Sequence, residues 1–205
     1  TYLKDHNTHD CGGYYGCGPH NNSRAAAPFH LNDECHQTKW ATNRALEFIE
    51  NRDISRPYML FVGYYAPHSP HNPPADFFNR FYQRNDLGAP YIADWDVPPS
   101  SSGNVMARYN TLSEEEVRTL YAGYYGNIAF IDMQVARLLE KALAQRNTYV
   151  IFTSDHGEML GDHYLMQKNR PYQGAVHIPF LIMGPDIPDS QSIGVPIGWH
   201  DIMPT

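Results

Sequence analysis

The chain has 205 residues, 42% of them hydrophobic and 18% charged, which suits a folded domain with a real core and excludes wholesale disorder. Its formal charge is −7, with 15 Lys and Arg against 22 Asp and Glu and no basic run, so a nucleic-acid partner is excluded. No stretch approaches the roughly 20 apolar residues of a membrane helix. The three cysteines, Cys11, Cys17 and Cys35, lack paired metal-type spacing; a Cys11–Cys17 disulfide and three free thiols are both compatible with it. The first residue is Thr1 rather than Met, as expected if the chain begins inside a longer protein, where an export signal would lie upstream.

In chain order, residues 1–34 are rich in Gly, His, Asn and Tyr without a sustained period, and read as an irregular surface segment. From Cys35 to about Asn51, Trp40, Ala41, Arg44, Ala45, Phe48 and Ile49 recur at helical spacing. Tyr58–Val62 is apolar on both faces and predicts a buried strand, most often found in a parallel sheet. Residues 66–111 are dominated by Pro, Asn, Asp and Ser, with a short helix expected only over Ala75–Tyr82. Ser113 and Glu116 form a capping box, and helical periodicity then runs through Val117, Leu120, Tyr124, Ile128, Ile131, Val135 and Leu138 to about Leu143. Tyr149–Thr153 and Ile178–Met183 predict two further buried strands. Strand, long helix, strand, loop, strand is the rhythm of an α/β sheet with crossover helices.

In such sheets ligands sit outside the carboxyl ends of the strands. The first expected strand runs into His68 and His71 between prolines, and the second into Asp155, His156, Gly157 and Glu158. A carboxylate beside an imidazole can reach one divalent cation; equally, Asp155 can cap the turn while His156 bonds locally. Asp162 and His163 repeat the pair seven residues later and read as loop-fixing or supporting residues, with Glu158 of similar standing. Either His68 or His71 could donate a proton to a leaving oxygen or bind an anion, or both could be incidental to a surface loop. Lys168 could neutralise an anionic oxygen, or be solvated.

Together these residues resemble the sulfatase family. The run Phe152–Lys168, containing Ser-Asp-His-Gly-Glu at 154–158, closely resembles the family signature around its second pair of metal ligands. Pro171–Pro185 is similar to the segment and strand that follow, although Gln173 and His177 stand where the family usually has Glu and often Arg. Phe61–Pro70 resembles the strand and Pro-His-x-Pro loop, and Asp201–Thr205 the Asp-x-x-Pro-Thr turn. The resemblance implies an alkaline-phosphatase-like α/β domain with a mostly parallel sheet flanked by helices, incomplete here: an irregular segment 1–34 and an α/β portion 35–205, the central and late part of the catalytic domain.

The same resemblance implies roles. Asp155 and His156 would ligate a divalent metal, usually Ca2+ in this family, and His68 and Lys168 would contact the sulfate ester and assist departure of the leaving group. The family nucleophile, a formylglycine made from cysteine in a Cys-x-Pro/Ala-x-Arg context, matches none of Cys11, Cys17 and Cys35 and is expected upstream. Thr38–Ala41 only superficially echoes a further Gly-Lys-Trp-His-type block. The implied activity is sulfate ester hydrolysis on a small-molecule or saccharide substrate, in a periplasmic, secreted or lysosomal-type compartment, with this segment alone inactive. Phosphonate monoester or phosphodiester hydrolysis and a non-catalytic scaffold are the alternatives; oligomeric state is left open.

Overall fold

The computed structural model describes residues 16, 18–19, 23–98, 112–145 and 147–203. Its described elements are α1 (Gln37–Asn51), α2 (Ala75–Tyr82), α3 (Glu114–Leu143), β1 (Val150–Thr153), α4 (Gln173–Val176), β2 (Phe180–Met183) and α5 (Trp199–Ile202), with 3-10 turns at Asp33–Cys35 and Asp162–Tyr164. No helix among the described residues is long and apolar enough to cross a membrane.

The organising element is α3. Ser113 Oγ accepts from the Glu116 amide at 3.2 Å while Glu116 Oε2 accepts from the Ser113 amide at 2.7 Å, so the expected capping box forms. Three successive acids, Glu114 to Glu116, occupy the first turn, where the helix dipole favours negative charge. The buried face carries Leu120, Tyr121, Ala122, Gly123, Gly126, Asn127, Phe130, Ile131 and Gln134, whereas Ile128, counted in the apolar period, is exposed. The two glycines explain the shift. A Cβ on Gly123 would meet the Ala26 and His71 Cβ atoms at 2.5 and 2.8 Å, and one on Gly126 would meet Pro73 Cγ at 2.7 Å. Backbone therefore lies directly on the helix there, and side chains elsewhere on α3 turn aside.

The segment lying on α3 is 71–73, with 26–29 beside it: Ala26 and His71 form a parallel bridge, and the Phe29 amide donates to the Pro73 carbonyl at 2.8 Å. Ala26 and Phe29 are buried, so this part of the segment expected at the surface instead enters the core. Residues 1–15 of that segment, Cys11 among them, and Cys17 lie outside the described residues. Helix α1 also differs in its face. Trp40 and Phe48 are exposed, and the buried stripe is Thr38, Thr42 and Ala45. Thr42 makes that stripe tolerable, because its Oγ1 donates to the Thr38 carbonyl at 3.0 Å and meets the Tyr64 hydroxyl at 2.8 Å.

Two strand expectations require correction. Tyr58–Val62 forms no strand, and it is not buried on both faces: Met59 is 89% exposed and Phe61 80%, alternating with half-buried neighbours. An extended run becomes a strand only when a neighbour accepts and donates across the ladder, and no described residue does so here. The other two runs do pair, Val150 opposite Met183 through Thr153 opposite Phe180, but antiparallel, as a two-stranded sheet rather than the expected mostly parallel one. Both helices expected to follow strong local signals, Ala75–Tyr82 and Glu114–Leu143, form within a residue of their expected bounds.

Candidate active site

The carboxyl end of β1 leads directly into Ser154, Asp155, His156 and Gly157. Ser154 Oγ donates to the His156 carbonyl at 2.7 Å, and the His156 amide donates to Asp155 Oδ1 at 3.0 Å, which sets a tight turn. Gly157 is required by what it touches. Its amide donates to the Ala175 carbonyl at 2.7 Å, and a Cβ there would sit 2.1 Å from the Gly174 carbonyl oxygen. The turn is thereby pressed against α4.

Asp155 and His156, the residues expected to ligate a cation, lie side by side at this turn. His156 Nδ1 lies 2.7 Å from the Gly157 carbonyl, which can only accept, so Nδ1 carries the proton and Nε2 holds the lone pair. Nε2 lies 3.5 Å from Asp155 Oδ2, on a carboxylate whose side chain is 80% exposed. Two donors each about 2.4 Å from a Ca2+ ion and at right angles would be about 3.4 Å apart, so the pair fits two neighbouring positions of one coordination sphere. It is half a site at most. No cluster of three or more His, Cys, Asp or Glu ligands occurs among the described residues, so the remaining ligands would have to come from elsewhere.

His68 and His71 have different fates. His68 is flanked by cis peptide bonds at Ala66–Pro67 and Ser69–Pro70. Its Nδ1–H donates to the Ser69 carbonyl at 2.9 Å, leaving Nε2 available, and its ring lies 6.4 Å centroid to centroid from that of His156. His71 is buried, donates from Nδ1 to the Pro67 carbonyl at 3.1 Å, and is pushed by burial down to about pH 4. It is a neutral core group, so of the two histidines only His68 faces the site.

Glu158 lies between the pieces. Burial raises its carboxyl above the usual range, against two backbone amides and the His68 and Lys168 charges, which act in the opposite direction. Its Oε1 accepts from the Leu160 amide at 3.2 Å and from the Gln167 amide. Lys168 is half-buried and follows Gln167 directly. The His68 and Lys168 charges thus both act on Glu158, and the His68 ring lies near that of His156, although these residues come from positions 68 to 168.

Asp162 and His163 hold the loop and stand apart from the Asp155–His156 pair. Asp162 Oδ1 accepts from the Tyr91 amide at 2.8 Å. His163 Nδ1 lies 2.9 Å from the buried Asp96 carboxylate, and its ring stacks against both Trp95 and Tyr172, at 5.2 and 4.2 Å, which also stack on each other. Sequence reading missed Asp96 because the two partners are 67 residues apart. Cys35 is a buried free thiol, raised by burial, in the 3-10 turn before α1.

Comparison with known proteins gives the fold and the family. A phosphonate monoester hydrolase of Agrobacterium radiobacter superposes with a TM-score of 0.66 over 90% of this chain and 40% of that one, at 21% identity. A second, from Silicibacter pomeroyi, gives 0.61 at 25% identity, over 78% of this chain and 35% of that one. The fold is accordingly an α/β fold like that of the alkaline phosphatase superfamily. Within it, the sulfatase family profile matches residues 7–205, and the chain belongs to the sulfatase family. An arylsulfatase of Clostridium perfringens is 33% identical over 171 residues, covering 80% of this chain and 35% of its own length. A multifunctional alkaline phosphatase superfamily protein of Trinickia caryophylli is 31% identical, covering 76% and 34%. The chain thus spans about a third of the length of these relatives.

Proposed function

We propose that the chain forms one side of the active site of an ester hydrolase whose substrate is a tetrahedral, anionic sulfur or phosphorus ester. The observation that carries this reading is that His68 pairs with the His156 ring at 6.4 Å while the His68 and Lys168 charges both act on the buried Glu158. In this reading Lys168 neutralises an ester oxygen whose negative charge grows in the transition state. His68, protonated at both ring nitrogens, would give its Nε2 proton to the leaving oxygen while Nδ1–H stays on the Ser69 carbonyl that orients the ring. Asp155 and His156 would hold a divalent cation, with further ligands from outside the described residues; when bound, it supplies Lewis-acid stabilisation of the ester oxygens. The attacking group is not assigned to Cys35, whose burial and raised pKa oppose thiolate chemistry and whose His-Gln-Thr context differs from the family motif.

Two substrate chemistries have support. Likeness to the arylsulfatase favours a sulfate monoester, and likeness in fold to two phosphonate monoester hydrolases favours a phosphonate monoester or phosphodiester. All three present the same singly charged oxyanion to a cationic pocket, so Lys168 and His68 serve each alike. The test is kcat/KM of the full-length natural protein on an aryl sulfate, an aryl phosphonate monoester and an aryl phosphodiester. Lys168→Ala and His68→Ala are expected to lose about 100- to 1,000-fold on whichever ester is preferred. Retained turnover in both variants, or no turnover of any of the three by the native protein, overturns the reading.

A further inference from the structure

The loop from Gly157 to Lys168 is held in a conformation that its own sequence does not favour. Leu160, His163, Tyr164 and Gln167 all have φ between 47° and 67°, in the left-handed region, and Gly161 lies at 107°. Non-glycine residues there each cost about 1–2 kcal/mol, so the surroundings must over-determine the shape. Part of that work is local. The Gly161 amide donates to the Leu165 carbonyl, and the Leu165 amide to the Asp162 carbonyl, both at 2.8 Å. Part comes from α3, where the Tyr121 hydroxyl donates to the Leu160 carbonyl at 3.2 Å and Leu160 and Met166 pack against Leu120 and Tyr121.

Among the described residues, the closure at Glu158 joins the two ends of the loop through a side chain. Oε1 accepts from the Leu160 and Gln167 amides, while the Met159 amide donates to the Gln167 carbonyl at 2.8 Å. Both backbone polar groups of Gln167 are thus fixed on the 158–159 side of the loop. The next residue along the chain is Lys168.

We propose that Glu158 is a positioning residue that acts through Lys168: by clamping the Gln167 amide it sets where Lys168 leaves the loop, and so aims the ammonium at the ester oxygen beside His156 and His68. This rests on the role given to Lys168 above. A surface lysine on a free loop would sample many rotamers and lose entropy on binding; one leaving a clamped backbone loses less.

The experiment is a double-mutant cycle in the full-length enzyme on its preferred ester, with Glu158→Ala, Lys168→Ala and the double variant. If Glu158 acts through Lys168, Glu158→Ala lowers kcat/KM at least 30-fold alone and less than 3-fold in the Lys168→Ala background. Glu158→Gln, which keeps an acceptor oxygen for the two amides, is expected to recover at least ten-fold of the loss. Hydrogen exchange supplies a readout independent of turnover: amides of 159–167 exchange faster in Glu158→Ala and not in Lys168→Ala. If Glu158→Ala does not yield folded protein, Glu158→Asp, one methylene too short to reach both amides, goes through the same cycle. Equal losses from the Glu158 substitution in both backgrounds overturn the clamp while leaving Lys168's role intact. A negligible effect of Lys168→Ala overturns the functional reading itself, and the clamp with it.

Discussion

His71 lies at the junction of α3, the 26–29 segment and the His68 loop, and its burial makes stability depend on pH in a way that can be worked out. Burial, and secondarily the charge of His68, lower its folded pKa from 6.5 to about 4; a backbone hydrogen bond opposes them without prevailing. Below pH 6.5 the unfolded chain takes up a proton that the folded chain refuses, so stability falls as pH falls from about 6.5 toward 4 and is level above and below that window. With these two values the loss at pH 5 is about 2 kcal/mol, rising to about 3 kcal/mol near pH 4. His36 adds a parallel contribution: it is fully buried, with a pKa of about 4, its Nε2–H donating to the Asn72 carbonyl at 3.3 Å and its Nδ1 accepting from the Thr38 amide at 3.2 Å.

The perturbation is His71→Asn, whose side-chain amide can replace Nδ1–H toward the Pro67 carbonyl without a titrating ring. At pH 7.5 the variant is less stable through lost packing. That deficit should shrink by about 2 kcal/mol on going to pH 5, because the native protein alone loses the His71 contribution. Urea denaturation at the two pH values reads this as a convergence of midpoints by about 1 M, for a slope of roughly 2 kcal/mol per M. A deficit that stays constant across the window refutes the assignment of a neutral, buried His71.

Two further substitutions probe the frame of the site. Gly157→Ala should drive the turn away from the Gly174 carbonyl, which its Cβ would approach to 2.1 Å, and destabilise by about 1–3 kcal/mol in thermal melts, whereas Gly194→Ala, with open space around it, should be neutral. Equal melting temperatures for the two variants would remove the close approach as the reason for glycine. Ser113→Ala removes the acceptor for the Glu116 amide and should cost about 1 kcal/mol, a fall of about 2–4 °C in Tm; an unchanged Tm would mean that the capping box contributes nothing measurable to α3.

How much was legible in the sequence follows from how local each signal is. The capping box at Ser113 and the bounds of Ala75–Tyr82 depend on neighbours a few residues away, and both were readable. Strand direction was not, since Val150–Thr153 and Phe180–Met183 carry the same apolar content whether they pair parallel or antiparallel. Tyr58–Val62 has strand composition without a described partner, and composition cannot supply one. In the site, Asp155 and His156 stand out because they follow a strand directly. His68 and His71 share one loop and one composition, and only burial against α3 separates them. The closure of Glu158 on Gln167, nine positions apart, encloses left-handed residues that no residue pattern announces.

The way the loop is anchored divides the site unevenly. Leu160 and Met166 are packed into α3, the longest and most thoroughly buried helix, whereas β1 and β2 make their principal contacts with each other. Glu158, Gln167 and Lys168 therefore lie on a loop that packs with α3, while Asp155 follows a ladder that among the described residues has two strands, held to the rest by bonds such as Trp199 Nε1–H to the Ser154 carbonyl at 3.2 Å. On warming, the ladder frays first. On the reading proposed above, the Lys168 side of the pocket therefore outlasts the Asp155–His156 side on warming, and the site comes apart before the helical core does.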